Sequence, residues 1–281
     1  MIIIADSGST KTDWVLIEDG KEIFTCKTIG MNPYFTTTEM VVQTLEQEML
    51  PFIKKDRVRE IHFYGSGCSF PEKKAVIGNG LKTLFENVEI EIQHDLLAAA
   101  RALFGNEKGI AGILGTGSNS CVYDGKDVVE NIFSLGYMFG DEGSGAYLGK
   151  KYITAHLKKK VPTELYNAFY ESCNYSNEDI LTSVYKKPNP NRFLASFTIF
   201  MKQHIDHPFV AKMVEESFVD FFREQVICYK SYKDLPFSFV GSLGCSFVEQ
   251  VRNAAARFDI ALETYMVSPM EGLLGFHSQQ K

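Results

Sequence analysis

Gly8–Lys21 reads GSTKTDWVLIEDGK and Gly115–Lys126 reads GTGSNSCVYDGK, and the two stretches share one grammar. A turn of glycine and hydroxyl residues leads into β-prone residues, and the run ends at Asp-Gly-Lys. Asp-Gly is a dipeptide that two-residue hairpins favour, because their central positions need φ > 0. A short apolar run precedes each stretch, Ile2–Ala5 before the first and Gly109–Leu114 before the second. Another strand candidate follows each, Glu22–Ile29 and Asp127–Ile132. Strand, turn, strand, hairpin, strand thus occurs twice in one order, which points to an internal duplication.

Working outward, Met40, Val41, Leu45 and Met49 recur at helical spacing and predict a helix from Thr38 to about Lys54. Arg59–Tyr64 reads as a strand, Glu72–Phe85 as a helix, Val88–Gln93 as a strand and Asp95–Phe104 as an alanine-rich helix. Three strands followed by alternating helix and strand is an α/β pattern with parallel crossovers. From Ser144 to about Tyr232 the chain reads as helical, broken by Pro188, Pro190 and Pro208. Phe237–Val240 restores a buried strand that ends at Gly241 and Ser242, and later helices are predicted over Phe247–Phe258 and Glu271–Phe276. No low-complexity linker separates the halves, so a hinge is expected near residues 105–109.

Composition narrows the function classes. The 281 residues are 45% hydrophobic and 23% charged, a globular balance that excludes a disordered tail, a collagenous fibre or a coiled-coil rod. Net charge is -6, so there is no global electrostatic footprint for nucleic acid or an anionic membrane. Any phosphate ligand has to be held by local donors. The six cysteines show no CxxC pair and no zinc spacing, as expected of free thiols. There is no basic leader followed by an apolar stretch, and no run approaches the ~20 apolar residues of a membrane span, so a soluble cytoplasmic protein is expected. Eleven of the 22 glycines lie between Gly105 and Gly149. Average usage would put about three there, so this stretch needs tight turns or close approach of backbone to a ligand.

A glycine and hydroxyl turn between two strands directs several backbone N–H groups into one concavity, a nest for an oxyanion. Two such nests, one per half, suit a polyphosphate. The first contains Ser9, Thr10 and Lys11 beside Asp6. A carboxylate next to a phosphate repels it unless a divalent cation intervenes, so Asp6 points to Mg²⁺ held partly through water. Neither nest is a Walker A loop or a GxGxxG dinucleotide fingerprint.

Asp6–Thr12 (DSGSTKT) resembles the first phosphate motif of the actin, sugar-kinase and heat-shock-chaperone ATPase superfamily, and Gly115–Ser120 (GTGSNS) resembles the second. Phe239–Leu243 (FVGSL) is similar to the adenosine motif. GTGSNS followed by GDEGSGAYLG, Gly140–Gly149, resembles the N-acetylglucosamine kinases and BadF/BadG-type ATPases. The resemblance implies a two-domain actin-like ATPase (ribonuclease H-like) α/β fold with an interdomain cleft, closing over ATP and an amino sugar. On that reading residues 1–107, completed by the C-terminal helix at about 269–281, form one domain and residues 108–268 the other. It also implies a homodimer.

The same resemblance implies roles for single residues. Asp95, at a strand end opening a helix, reads on its own as an N-cap; it also matches the family's catalytic Asp, which accepts the sugar hydroxyl proton. Ser9, Thr10, Lys11, Gly115, Thr116, Gly117, Gly241 and Ser242 fall to ATP. Asn32, Asp95, Ser118, Asn119 and Asp141 fall to the sugar. So do Ser134, Leu135, Gly136 and Tyr137, where a tryptophan expected from the family is missing. His62, His94, His204 and His207 have no second-ligand spacing and read as packing or surface residues.

Two other readings share the fold. An activator ATPase of an acyl-CoA dehydratase or reductase holds an iron–sulfur cluster through cysteines, but Cys121 has no second cysteine within the next 40 residues. A non-catalytic sugar sensor generally carries an N-terminal DNA-binding module, whereas here the first strand begins at Ile2.

Overall fold

The Asp19-Gly20 hairpin forms where the sequence puts it, with both residues at positive φ (51° and 74°). It joins the strands Lys11–Glu18 and Lys21–Ile29 in a computed structural model that describes residues 1–8 and 10–279. These residues divide into two units, one of residues 1–106 together with the segment from Pro269 onward, the other of residues 107–268.

The first unit contains β1 (Ile2–Ser7), β2 (Lys11–Glu18), β3 (Lys21–Ile29), α1 (Thr38–Glu48), β4 (Glu60–Gly65), α2 (Pro71–Leu84), β5 (Glu89–His94) and α3 (Asp95–Phe104). Its sheet runs β3-β2-β1-β4-β5, with β1 antiparallel to β2 and parallel to β4. Asp6 faces Asp13 and Ser7 faces Thr12 across the β1–β2 ladder. Ile3, Ala5, Trp14, Leu16, Ile61 and Phe63 are fully or almost fully buried beneath Val41 and Leu45 of α1 and Ile77 and Leu81 of α2. Each large aliphatic side chain so buried contributes roughly 1.5–3 kcal/mol, and a one-residue slip would expose the set, so the core fixes the register. Trp14 adds a hydrogen bond, Nε1 donating to Thr28 Oγ1 at 2.9 Å.

The sequence places the end of α1 too late. The helix stops at Glu48 and Leu50–Phe52 form a 3₁₀ turn. Pro51 disfavours helical geometry in the residue before it, which overrides the apolar spacing.

The second unit contains β6 (Gly109–Leu114), β7 (Ser118–Tyr123), β8 (Val128–Asn131), α4 (Gly136–Phe139), α5 (Gly145–Leu157), α6 (Thr163–Cys173), α7 (Asn177–Tyr185), α8 (Pro190–Ser196), α9 (Thr198–Gln203) and α10 (Pro208–Glu224). β9 (Phe237–Val240), α11 (Ser242–Ser246), α12 (Val248–Ala256) and β10 (Leu262–Met266) complete it. Its sheet runs β10-β9-β6-β7-β8. Read from the hairpin end, this is the order of the first sheet: two antiparallel strands, a central strand, then two parallel ones. A separate apolar core, including Ile110, Leu148, Phe218, Phe222 and Phe237, packs in this unit.

Two elements differ from the sequence reading. The helix expected over 247–258 is interrupted at Phe247, with α11 beginning at Ser242 and α12 ending at Ala256. β10 was not anticipated, because Glu263, Thr264 and Tyr265 are exposed on an edge strand without clean alternation. α13 (Met270–Gln279) returns to the first unit and packs on α3 and β1. No helix among the described residues is long and apolar enough to cross a membrane.

Candidate active site

In the first unit, the turn after β1 is built on a chain of hydroxyls. Ser7 and Thr12 are buried and face each other, with Oγ and Oγ1 2.7 Å apart. Met31 N–H donates to Ser7 Oγ (3.0 Å), and Thr12 Oγ1 donates to Ile29 O (3.0 Å). Ser7 therefore passes its proton to Thr12, and each polar atom has a partner. The chain ties the turn to the loop that holds Asn32. Gly8 N–H donates to Lys11 O (3.0 Å) and closes the turn, while Gly30 N–H donates to Thr10 O (3.0 Å). Lys11 Nζ lies 2.6 Å from Asp13 Oδ2. Ser9, assigned to ATP from the sequence, lies outside the described residues.

Asp6 and Asp95 are electrostatic neighbours at this end of the sheet. The Asp6 carboxyl is pushed up to about 7, first by burial, then by the charges of Asp95 and Asp13, with Lys11 opposing. Burial also raises the Asp95 carboxyl, against backbone contacts from Leu96 and from its own N–H, with Leu96 N–H donating to Oδ1 at 3.0 Å. Asp95 is the first residue of α3 and is not its cap. That role falls to His94, whose Nδ1 accepts from Leu97 N–H (3.2 Å). Burial, with Lys74 and Arg101 nearby, holds His94 down to about 4, so its ring stays a neutral acceptor. The sequence offers His94 only as a packing residue; its capping of α3 leaves the Asp95 carboxylate for other work. Asn32 is held in a tight loop: Tyr34 N–H donates to its Oδ1 (3.0 Å), and a Cβ on Gly67 would fall 2.6 Å from that oxygen.

In the second unit the turn is drawn from backbone. Gly115 N–H donates to Gly117 O (3.0 Å), and the first N–H groups of α5, from Gly145 and Ala146, donate to Gly115 O (2.8 Å) and Thr116 O (3.1 Å). With the carbonyls so engaged, the N–H groups of Thr116 and Gly117 carry no hydrogen bond among the described residues. Gly241 has φ 136°, and a Cβ there would lie 2.2 Å from Leu114 O. The end of β9 therefore presses against the residue before the turn. Gly115, Thr116, Ser242, Lys202 and Phe247 line one cavity of about 490 Å³, within the usual range of small-molecule sites. Lys202 and Phe247 carried no signal in the sequence, since their place depends on how α9 and α11 pack.

Asp141 sits beside the same turn. It adopts φ 56°, a left-handed conformation that Asp tolerates better than most residues, and its Oδ2 would be 3.0 Å from a Cβ on Gly117. Ser134 Oγ donates to its Oδ1 at 3.4 Å. Burial pushes its carboxyl up to about 6, although the Ser118 N–H and Ser134 hydroxyl pull it down. Ser118 Oγ donates to Glu142 O (2.6 Å), which orders the acidic loop. Asn119 is turned to the sheet, its Oδ1 accepting from Ser120 N–H and Asn131 Nδ2. Leu135 is 55% exposed, and Lys150 Nζ holds this stretch by donating to Tyr137 O (2.9 Å).

Comparison with known proteins then separates the readings. A solved structure from Porphyromonas gingivalis, provisionally described as an N-acetylglucosamine kinase, is 42% identical, covering 100% of this chain and 99% of that one, with a TM-score of 0.95. The chain belongs to the N-acetylglucosamine-kinase type of sugar kinases. A kinase of this type is an ATP-dependent phosphotransferase. More distant structures share the fold: one from Chromobacterium violaceum, also provisionally described as an N-acetylglucosamine kinase, is 16% identical over 98% of each chain with a TM-score of 0.74. A ROK family glucokinase from Streptomyces griseus, solved with glucose and AMPPNP, is 14% identical over 98% of this chain and 97% of that one, with a TM-score of 0.55. No family model and no curated protein matches the sequence of this kinase.

Proposed function

We propose that this sugar kinase transfers the γ-phosphoryl group of ATP to a hydroxyl of N-acetylglucosamine or a close amino-sugar relative, with Asp95 as the base. The observation that carries the proposal is the Asp6–Asp95 pair: two crowded carboxylates beside a phosphate-type turn, one of them raised to about 7. Such a pair is at ease only if one member takes a proton or a cation lies close. Asp95, raised by burial and free of capping duty, is suited to receive the hydroxyl proton as the oxygen attacks phosphorus. No group of three or more metal-ligating side chains gathers among the described residues, so Mg²⁺ would be held at Asp6 largely through water and would there offset charge on the phosphate oxygens.

The remaining roles follow the chemistry of each residue. Thr10 and Lys11, with Ser9 by resemblance, bind phosphate from the first unit. Thr116 and Gly117 offer backbone N–H groups to phosphate, and the cavity lined by Gly115 and Ser242 takes the nucleoside. Gly241 keeps the wall of that cavity close to Leu114. Asp141, a buried carboxylate with Ser134 on one oxygen, accepts from sugar hydroxyls, and Asn32 positions the sugar beside Asp95. Ser118 and Asn119 act on the sugar mainly by ordering the loops, since their side chains are engaged by Glu142 O and Asn131. Ser134–Tyr137 contributes the wall of the sugar site. The pairing of GTGSNS with GDEGSGAYLG supports the BadF/BadG-type branch of the superfamily.

The test is ATP-dependent phosphorylation across N-acetylglucosamine, N-acetylmuramic acid, glucosamine and glucose. The N-acetylated sugars are expected to give the highest kcat/KM. ADP release that depends on none of these sugars contradicts the proposal.

A further inference from the structure

The first unit holds a polar cluster that the proposed reaction does not use. His62 of β4 stacks on His277 of α13, with ring centroids 4.0 Å apart and planes at 29°. His62 Nδ1 is 2.8 Å from Glu91 Oε2 on β5, and its Nε2 is 3.2 Å from Glu60 Oε2. Arg101, near the end of α3, donates to Tyr64 Oη (2.6 Å) and to Glu91 (3.2 Å). Tyr64 Oη in turn lies 3.0 Å from His277 Nε2.

Arg101 only donates, so the Tyr64 oxygen accepts from it. Burial, then His62 and Arg101, keep His277 neutral while α13 is docked, and a neutral ring can take the phenol proton of Tyr64 at Nε2. Close approach of the helices is built in as well. A Cβ on Gly272 of α13 would fall 2.3 Å from Ala102 O of α3, and the Arg101 guanidinium lies 5.1 Å from the Phe276 ring centroid.

We propose that Arg101 and His277 are positioning residues: through Tyr64 they clasp α13 to α3, and so fix the helix that presents Asp95, and the clasp opens in acid. The link to Asp95 rests on the kinase reading above; the clasp itself does not.

The charges facing His277 support the acid opening. From β4 come His62, Tyr64 and, beyond His62, Glu60; from β5 Glu91; from α3 Arg101. Met1, Glu18 and Asp19 share with it a cavity of about 110 Å³, and Glu18 is paired with Arg57. Burial first, then His62 and Arg101, push His277 from 6.5 to about 3, with Glu91 opposing. An opened helix takes up a proton below pH 6.5 that the docked helix refuses until about 3. Docking is therefore strongest above pH 6.5 and weakens about tenfold per pH unit as the pH falls towards 3.

The test is amide hydrogen exchange of residues 273–278 in the full chain at pH 7.5 and 5.0, corrected for intrinsic rates, in the wild type and His277→Gln. Glutamine keeps an acceptor for Tyr64 without titrating. Wild-type protection is expected to fall about 30-fold and the variant's to stay level. Equal wild-type protection at both pH values, or an equal fall in the variant, overturns the clasp. If His277→Gln does not fold, Gly272→Ala replaces it, and unchanged protection at pH 7.5 in that variant overturns the clasp. Sugar phosphorylation by both proteins reads the link to Asp95: protonation of the active-site carboxylates lowers kcat in each, and from pH 7.5 to 5.0 kcat is expected to fall further in the wild type than in His277→Gln while the KM for ATP holds. An equal fall of kcat in the two proteins overturns the positioning role. Absence of turnover with every sugar defeats the kinase reading and with it the link to Asp95, and leaves the exchange result to decide the clasp.

Discussion

The two sheets have one strand order and different chemistry. Next to its turn, the first unit sets Asp6 against Asp13 and Ser7 against Thr12. The second sets Ile113 against Asn119 and Leu114 against Ser118. Facing carboxylates thus lie within the ladder beside the first turn, while beside the second the ladder is uncharged and the one close carboxylate, Asp141, comes from a separate loop. The two turns open on equally roomy glycines, since a Cβ on Gly8 would find its nearest neighbour at 3.8 Å and one on Gly115 at 3.9 Å, but the second turn is then pressed from outside: a Cβ on Gly117 would lie 3.0 Å from Asp141 Oδ2 and one on Gly241 2.2 Å from Leu114 O. One strand order thus carries two different turns, as the proposed division between phosphoryl chemistry and nucleoside binding requires.

Substitutions that neutralise one half or overfill the other should break this contrast. Asp6→Asn is expected to lower kcat by about 10³, comparable to losing one strong electrostatic group in an active site, while raising stability. The sign follows from the raised carboxyl: relative to an unfolded chain near 3.8, the folded protein binds this proton more tightly, so stability falls as pH rises from about 4 to 7. Removing the charge should restore roughly 1–2 kcal/mol above pH 7 and little below pH 4, which chemical denaturation at both pH values measures. Gly241→Ala comes next, at about 3 kcal/mol of lost stability, because the residue has φ 136° and meets a backbone oxygen; thermal unfolding checks it. Asp141→Asn should raise the KM for sugar about tenfold with a smaller change in kcat. In the wild type the same KM should rise below pH 6, as the carboxylate gains a proton and loses acceptor capacity. Gly8→Ala should stay within about 0.5 kcal/mol, since nothing crowds it.

The repeated hairpin grammar made both sheets legible, and the limits of α3 and β9 were readable because an alanine-rich run and a four-residue apolar run have sharp ends. The end of α1 was misread because Pro51 outweighs the spacing of Met40, Val41, Leu45 and Met49. β10 was missed because an edge strand with exposed Glu263 and Tyr265 lacks a period. At the candidate site, the sequence could name Asp6, Asp95 and Asp141 by type and place. It could not show that His94 caps α3, that Ser7 and Thr12 lock a turn through Met31, or that His277 reaches Tyr64 across 213 residues. Those features depend on tertiary contacts between segments with no local signature.

The central claim is that the charged half performs the proton transfer, and single-turnover phosphorylation of N-acetylglucosamine by Asp95→Asn at pH 7.5 tests it most directly. The account predicts a rate at least about 10² below wild type, with ATP binding unchanged and thermal stability no lower, since burial raises this carboxyl as well. A rate within a few-fold of wild type would contradict it.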